Sequence, residues 1–149
     1  MLLSGNTLYA IFASPSHYFT VGTIQVYSVS NAGLSLINQD AGVDLPGYEG
    51  SPVASVLVGN YLYFVSSGGG GPSPFGYLDV VQTSSNPMQY VVTAKPLSCT
   101  PRSAALDSAA SLLFINCGTS VEIFSVASPT SPVEVDAQSV DSSVVVVGN

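Results

Sequence analysis

Short runs in which apolar and polar residues alternate recur along the whole chain, separated by Gly, Asn, Ser and Pro. Ile24, Val26 and Val29 stand among polar neighbours, and the runs are rich in Val, Ile, Tyr and Phe. A period of two sends successive side chains to opposite faces of a pleated ribbon, so the pattern predicts strands. Gly-Asn and Ser-Asn-Pro lie between the runs; these residues accept or fix the backbone angles that tight hairpin turns need. No segment carries the spacing of an amphipathic helix. The clearest group is Pro52 to Val58, Tyr61 to Ser66, Tyr77 to Gln82 and Met88 to Thr93, which predicts four antiparallel strands a to d.

That group is one copy of a repeat. Its Leu57-Val58-Gly59-Asn60-Tyr61-Leu62-Tyr63 corresponds to Leu3-Ser4-Gly5-Asn6-Thr7-Leu8-Tyr9 and, more loosely, to Leu106-Asp107-Ser108-Ala109-Ala110-Ser111-Leu112-Leu113. Val145-Val146-Val147-Gly148-Asn149 begins a fourth copy. A second block follows each time: Gly22-Thr23-Ile24-Gln25-Val26, Gly76-Tyr77-Leu78-Asp79-Val80 and Thr119-Ser120-Val121-Glu122-Ile123. Four-stranded units of roughly 40–50 residues without helix predict an all-β fold, a β-propeller of four-stranded antiparallel blades. About three blades fall in one segment, 1–149, as units of roughly 1–58, 59–106 and 107–147. Closed propellers have about 4–8 blades, so the ring is incomplete. A β-sandwich or a stack of meanders is the alternative architecture.

The sequence Gly-Asn-x-Leu-Tyr, then Gly-x-Ile/Leu-x-Val, then Ser-Asn-Pro resembles the repeats of LVIVD-repeat and seven-bladed lactonase-like propellers. The resemblance covers nearly the whole chain through short motifs. With no Trp present, the WD40 class is not supported. The resemblance implies that the b–c and d–a loops share one face where ligands bind. Here that face gathers His17, Tyr18, Asp44, Tyr48 and Glu49, with Arg102 just inside. Aromatics mixed with carboxylates suit a carbohydrate or a Ca²⁺ ion, the one candidate cofactor. Lactonase-like hydrolysis needs acids, His and Arg around a central channel, and only fragments of that set are present.

Composition narrows the partners. The 149 residues are 46% apolar and 7% charged, enough to bury a core and too apolar for a disordered chain. Nine acids against Lys95 and Arg102 give a net charge of -7. Two isolated bases cannot displace the counterions of nucleic acid or hold an anionic membrane surface. No apolar run approaches the roughly 18 residues that span a bilayer. The surface is solvated by Ser, Thr, Asn, Gln and Gly, a composition common among extracellular and cell-surface repeat proteins.

Two features invite specific pairing. If Thr100 to Leu106 and Leu112 to Cys117 form a hairpin, Cys117 faces Pro101, two residues from Cys99, and a disulfide staples the hairpin. A Zn site is disfavoured, because two Cys and one His leave the usual four ligands unfilled. The valine-rich strand Val144, Val145, Val146, Val147 is left over at one end, while the first blade is short of an inner strand. Either the chain is part of a longer propeller, or this strand completes a neighbouring copy, giving a homo-oligomer or a filament.

His17 is the single imidazole, and no Gly-x-Ser-x-Gly elbow accompanies it. The Gly68-Gly69-Gly70-Gly71-Pro72 run lacks the Lys and the helix of a phosphate loop. The expectation is therefore a non-enzymatic extracellular structural or adhesive module, with a lactonase-like hydrolase or sugar-binding propeller as the alternative.

Overall fold

Alternating sequence becomes strand throughout the described part of the chain, which in this computed structural model is residues 1–15, 20–39, 51–68 and 75–139. The strands are β1 (Leu2–Ser4), β2 (Thr7–Pro15), β3 (Thr20–Ser30), β4 (Gly33–Gln39), β5 (Pro52–Val58), β6 (Tyr61–Ser67), β7 (Gly76–Gln82), β8 (Gln89–Leu97), β9 (Ser103–Asp107), β10 (Leu112–Asn116), β11 (Ser120–Ser125) and β12 (Val133–Ser139). They form three four-stranded sheets, β1 to β4, β5 to β8 and β9 to β12, each in simple sequential order. Every pair is antiparallel. The fold of the described residues is all-β, and none of the sheets closes on itself. His17, Tyr18, Asp44, Tyr48 and Glu49 of the expected ligand face and the expected assembly strand Val144 to Val147 lie outside the described residues.

The sequence repeat is a repeat of structural devices. Two-residue turns join β1 to β2 and β5 to β6, with Gly5 at φ 56° and Gly59 at φ 57°. A glycine with positive φ at the first turn position is what a right-twisted hairpin of this length asks for. In the third sheet the turn is longer, because Asp107 Oδ1 accepts the amides of Ala109 and Ala110 at 3.0 and 3.1 Å. Despite that difference, each turn carbonyl accepts the same hydrogen bond from the residue after Ser28, Gln82 or Ser125, at or just past the end of the third strand. Val29 donates to Asn6, Thr83 to Asn60 and Val126 to Ser111, each at 2.8 Å.

A bulge in the fourth strand also recurs. The register of β3 with β4 slips between Val26 and Tyr27, that of β11 with β12 between Ile123 and Phe124, and that of β7 with β8 beside Val80. These are equivalent places, since Thr7, Tyr61 and Leu112 open the second strands opposite Ser28, Gln82 and Ser125. One extra residue per unit bends the outer strand and increases local twist. β8 slips a second time, beyond Leu78, and continues to Leu97 rather than ending near Thr93.

Successive side chains point to opposite faces, so consecutive apolar residues give each sheet two apolar faces. Leu8, Leu62 and Leu113 mark one, the front; Tyr9, Tyr63 and Phe114 mark the other, the back. The back of the first sheet (Tyr9, Ile24, Val26) packs on the front of the second (Leu62, Phe64, Val81). The back of the second (Tyr63, Val65, Leu78, Val80) packs on the front of the third (Leu113, Ile115, Phe124). Burying each large apolar side chain contributes about 1.5–3 kcal/mol, so these two seams are the core. The sheets approach most closely at their first strands, β1 to β5 and β5 to β9. Asn38 Nδ2 adds a polar tie across the first seam, donating to Ser85 O at 2.7 Å.

Candidate functional site

Polar chemistry concentrates where the link from β8 to β9 passes over the end of the third sheet. β11 places Glu122 on the front of its sheet, in the second seam, where it is 1% exposed. A bare carboxylate there would be costly, so it needs donors. Ser98 supplies two: its amide donates to Glu122 Oε1 at 2.8 Å and its hydroxyl at 2.6 Å. The other oxygen, Oε2, is buried with no hydrogen-bond partner.

Cys99 and Cys117 sit beside this carboxylate as a disulfide, with Cα atoms 5.7 Å apart. The hairpin register differs by one residue from that expected. Leu112 pairs Asp107 and Asn116 pairs Ser103, which puts Cys117 opposite Arg102 rather than Pro101. Cys99 lies before β9 begins, so the bridge closes the inter-sheet link onto the β10–β11 turn instead of joining two rungs of a ladder. The two sulfurs and the Glu122 carboxylate fall within 4.8 Å of one another. With both sulfurs in the disulfide, neither is available as a thiolate ligand.

Arg102, expected near the ligand face, is at this same corner and exposed. Its amide donates to Asn116 O at 2.8 Å. Its guanidinium lies over Gly118, where a Cβ would come within 2.9 Å of Nε; the φ of +90° independently favours glycine. Asn116, 8% exposed, fixes the turn by accepting the Gly118 amide through Oδ1 at 2.8 Å and donating from Nδ2 to Ser103 Oγ at 3.2 Å. Gly76 completes the corner. A Cβ there would meet Pro101 Cδ at 2.5 Å and Ser66 O at 2.6 Å.

Farther along the same seam, Lys95 Nζ lies 5.9 Å from the centre of the Phe124 ring, within cation–π range. The Tyr63 hydroxyl is buried without a partner. Its pKa is pushed up to about 12, first by loss of solvation and then by Tyr61 nearby. A cavity of about 290 Å³ opens between the first two sheets, lined by Met1, Ile11, Pro52, Val53, Ala54 and Ser55. Its side chains offer one hydroxyl and neither a carboxylate nor an imidazole.

Of the residues singled out by the sequence, the described part of the chain brings together Cys99, Cys117 and Arg102. Reading the motifs missed Glu122, although a signal was present. Gln25, Asp79 and Glu122 occupy the same register position, opposite Ala10, Phe64 and Ile115. Each of these polar residues stands between two apolar ones; in the second and third sheets it holds a backbone amide, while Gln25 accepts the Tyr27 hydroxyl. Asp79, fully buried, accepts the amide of Ala94 at 2.7 Å, where β8 turns through φ 50°. Glu122 uses the same position to hold the preceding link. The corner is thus a tightly bonded structural joint, with one charged group, Arg102, presented to solvent. Comparison with protein-family models, with curated proteins and with solved structures finds no match.

Proposed function

We propose that the chain is a β-propeller segment with a non-enzymatic, extracellular structural or adhesive role, exercised by self-association. The observation that carries this reading is the pair of outer strands. β4 exposes Leu34, Leu36 and Ile37, and β12 exposes Val133 and Val135, all more than half exposed. Monomeric proteins usually guard such edges with charge or Pro; β4 carries neither, whereas β12 carries Glu134 and Asp136, so the unguarded edge is β4. Three further features support the reading. The sheets repeat one unit and meet at their first strands, as blades do. The disulfide suits an oxidising compartment. Charged groups are scarce, and the buried ones serve backbone donors.

Electron microscopy of the purified, oxidised chain tests the proposal: rings or filaments are expected, and single particles of one chain contradict it. The alternative, a lactonase-like hydrolase or sugar-binding propeller, rests on the repeat motifs and on Arg102 beside the loop end. Lactone turnover abolished by His17→Ala would replace the structural reading with this one.

A further inference from the structure

We infer that the open front face of the first sheet is a docking surface for the back face of the third sheet of a second copy, so that the chain associates head to tail. This rests on the self-association reading and names its surface.

The argument starts from equivalence. Front-on-back packing occurs twice inside the chain, with the same register positions facing each other in both seams. The front face of the first sheet presents the corresponding positions: Leu8 matches Leu62 and Leu113, and Tyr27 matches Val81 and Phe124. In the second and third sheets these positions are 0–1% exposed, covered by the preceding sheet. In the first sheet Leu8 and Tyr27 are half-buried and Ala10 beside them is 3% exposed, yet no other sheet packs over them among the described residues. Leu3 is 63% exposed, Phe12 49%, Leu34 57% and Leu36 51%, all on this face. A sheet with a single buried face would be polar here.

The complementary surface is also present in the chain. The back of the third sheet carries Phe114, Val121 and Ile123, the counterparts of Tyr9, Ile24 and Val26, which fill the first seam. Phe114 and Ile123 are part-exposed and belong to neither buried cluster, while Val121 beside them is already down to 7% exposed. The polar position fits as well. Gln25, the counterpart of Asp79 and Glu122, is neutral and already accepts the Tyr27 hydroxyl, so covering it buries no charge. A front that meets a back is a heterologous contact, which generates a ring if the rotation closes and a filament if it does not.

Two variants test this, each blocking one side. Phe12→Glu charges the front of the first sheet, away from edge strand β4; Ile123→Glu charges the back of the third. Ser125→Glu, on that same back face, adds a charge without removing packing and replaces Ile123→Glu if that variant unfolds. In sedimentation velocity each variant alone is expected to run as a single chain, with association weakened at least tenfold. An equimolar mixture is expected to give one-to-one dimers and nothing larger, because only one intact front and one intact back remain per pair. A parent chain that associates while both variants associate equally overturns this interface and leaves the self-association reading standing. Blocked variants that fail to dimerise on mixing also overturn it. A parent chain that stays single at every concentration overturns both readings and makes further repeats of a longer polypeptide the occupant.

Discussion

Glu122 accepts both the amide and the hydroxyl of Ser98 across the seam between the second and third sheets. One strand residue thereby fixes the link that carries the chain from sheet to sheet. The bond is charge-assisted on one oxygen and missing on the other, so geometry and charge make separable contributions. Glu122→Ala removes the acceptor, and because Ser98 is exposed its two donors can turn to water, so the expected loss is the net worth of the bonds, about 1–2 kcal/mol. Glu122→Gln keeps an acceptor and removes the buried charge, so it is expected to retain most of the stability. Urea unfolding midpoints of the two variants check the order; equal losses would mean that the charge itself is required.

The Tyr63 hydroxyl gives the opposite expectation. Having no partner, it contributes desolvation cost and no hydrogen bond. Tyr63→Phe is therefore expected to leave stability unchanged or raise it slightly, despite the position at the centre of the core. A drop above about 1 kcal/mol would reveal a bonded hydroxyl.

The same residue sets an alkaline limit. Its pKa is about 12 in the fold against 10.0 unperturbed. Between those values the unfolded chain releases a proton that the fold retains, so stability falls as pH rises. Full stability with respect to this group holds below pH 10, and its share is lost by about pH 12. Thermal unfolding across that window should show the decline in the parent and a shallower one in Tyr63→Phe.

The disulfide spans 18 residues and closes the link onto the third sheet. A loop of that length loses roughly 3 kcal/mol of stabilisation on reduction, in the chain-entropy account. Reduced protein and a Cys99→Ser, Cys117→Ser double variant are expected to unfold at matching, lower urea concentrations. A double variant as stable as the oxidised parent would show that Glu122 and the packing hold this corner unaided.

What was legible in the sequence follows from period and turn chemistry. Strands β5, β6 and β7 are short, mostly apolar runs set off by Gly-Asn and Ser-Asn-Pro turns, and their bounds in the structure fall within a residue of those expected. Bulges were not legible, because an extra residue in strand d changes no residue type that pattern reading uses. For the same reason β8 overran its expected end. The cysteine pair was read correctly through a register that was off by one; the four-residue turn after Asp107 shifts every rung of that hairpin. Glu122 was overlooked because a single acid in an apolar run looks like strand decoration. Only its match to Gln25 and Asp79 exposes the role.

Self-association of the unmodified chain is the central claim, and sedimentation velocity over a wide concentration series measures it most directly. The account expects species heavier than the 15.3 kDa chain that grow with concentration, with Phe12→Glu abolishing them. A single 15.3 kDa boundary at every concentration would contradict it.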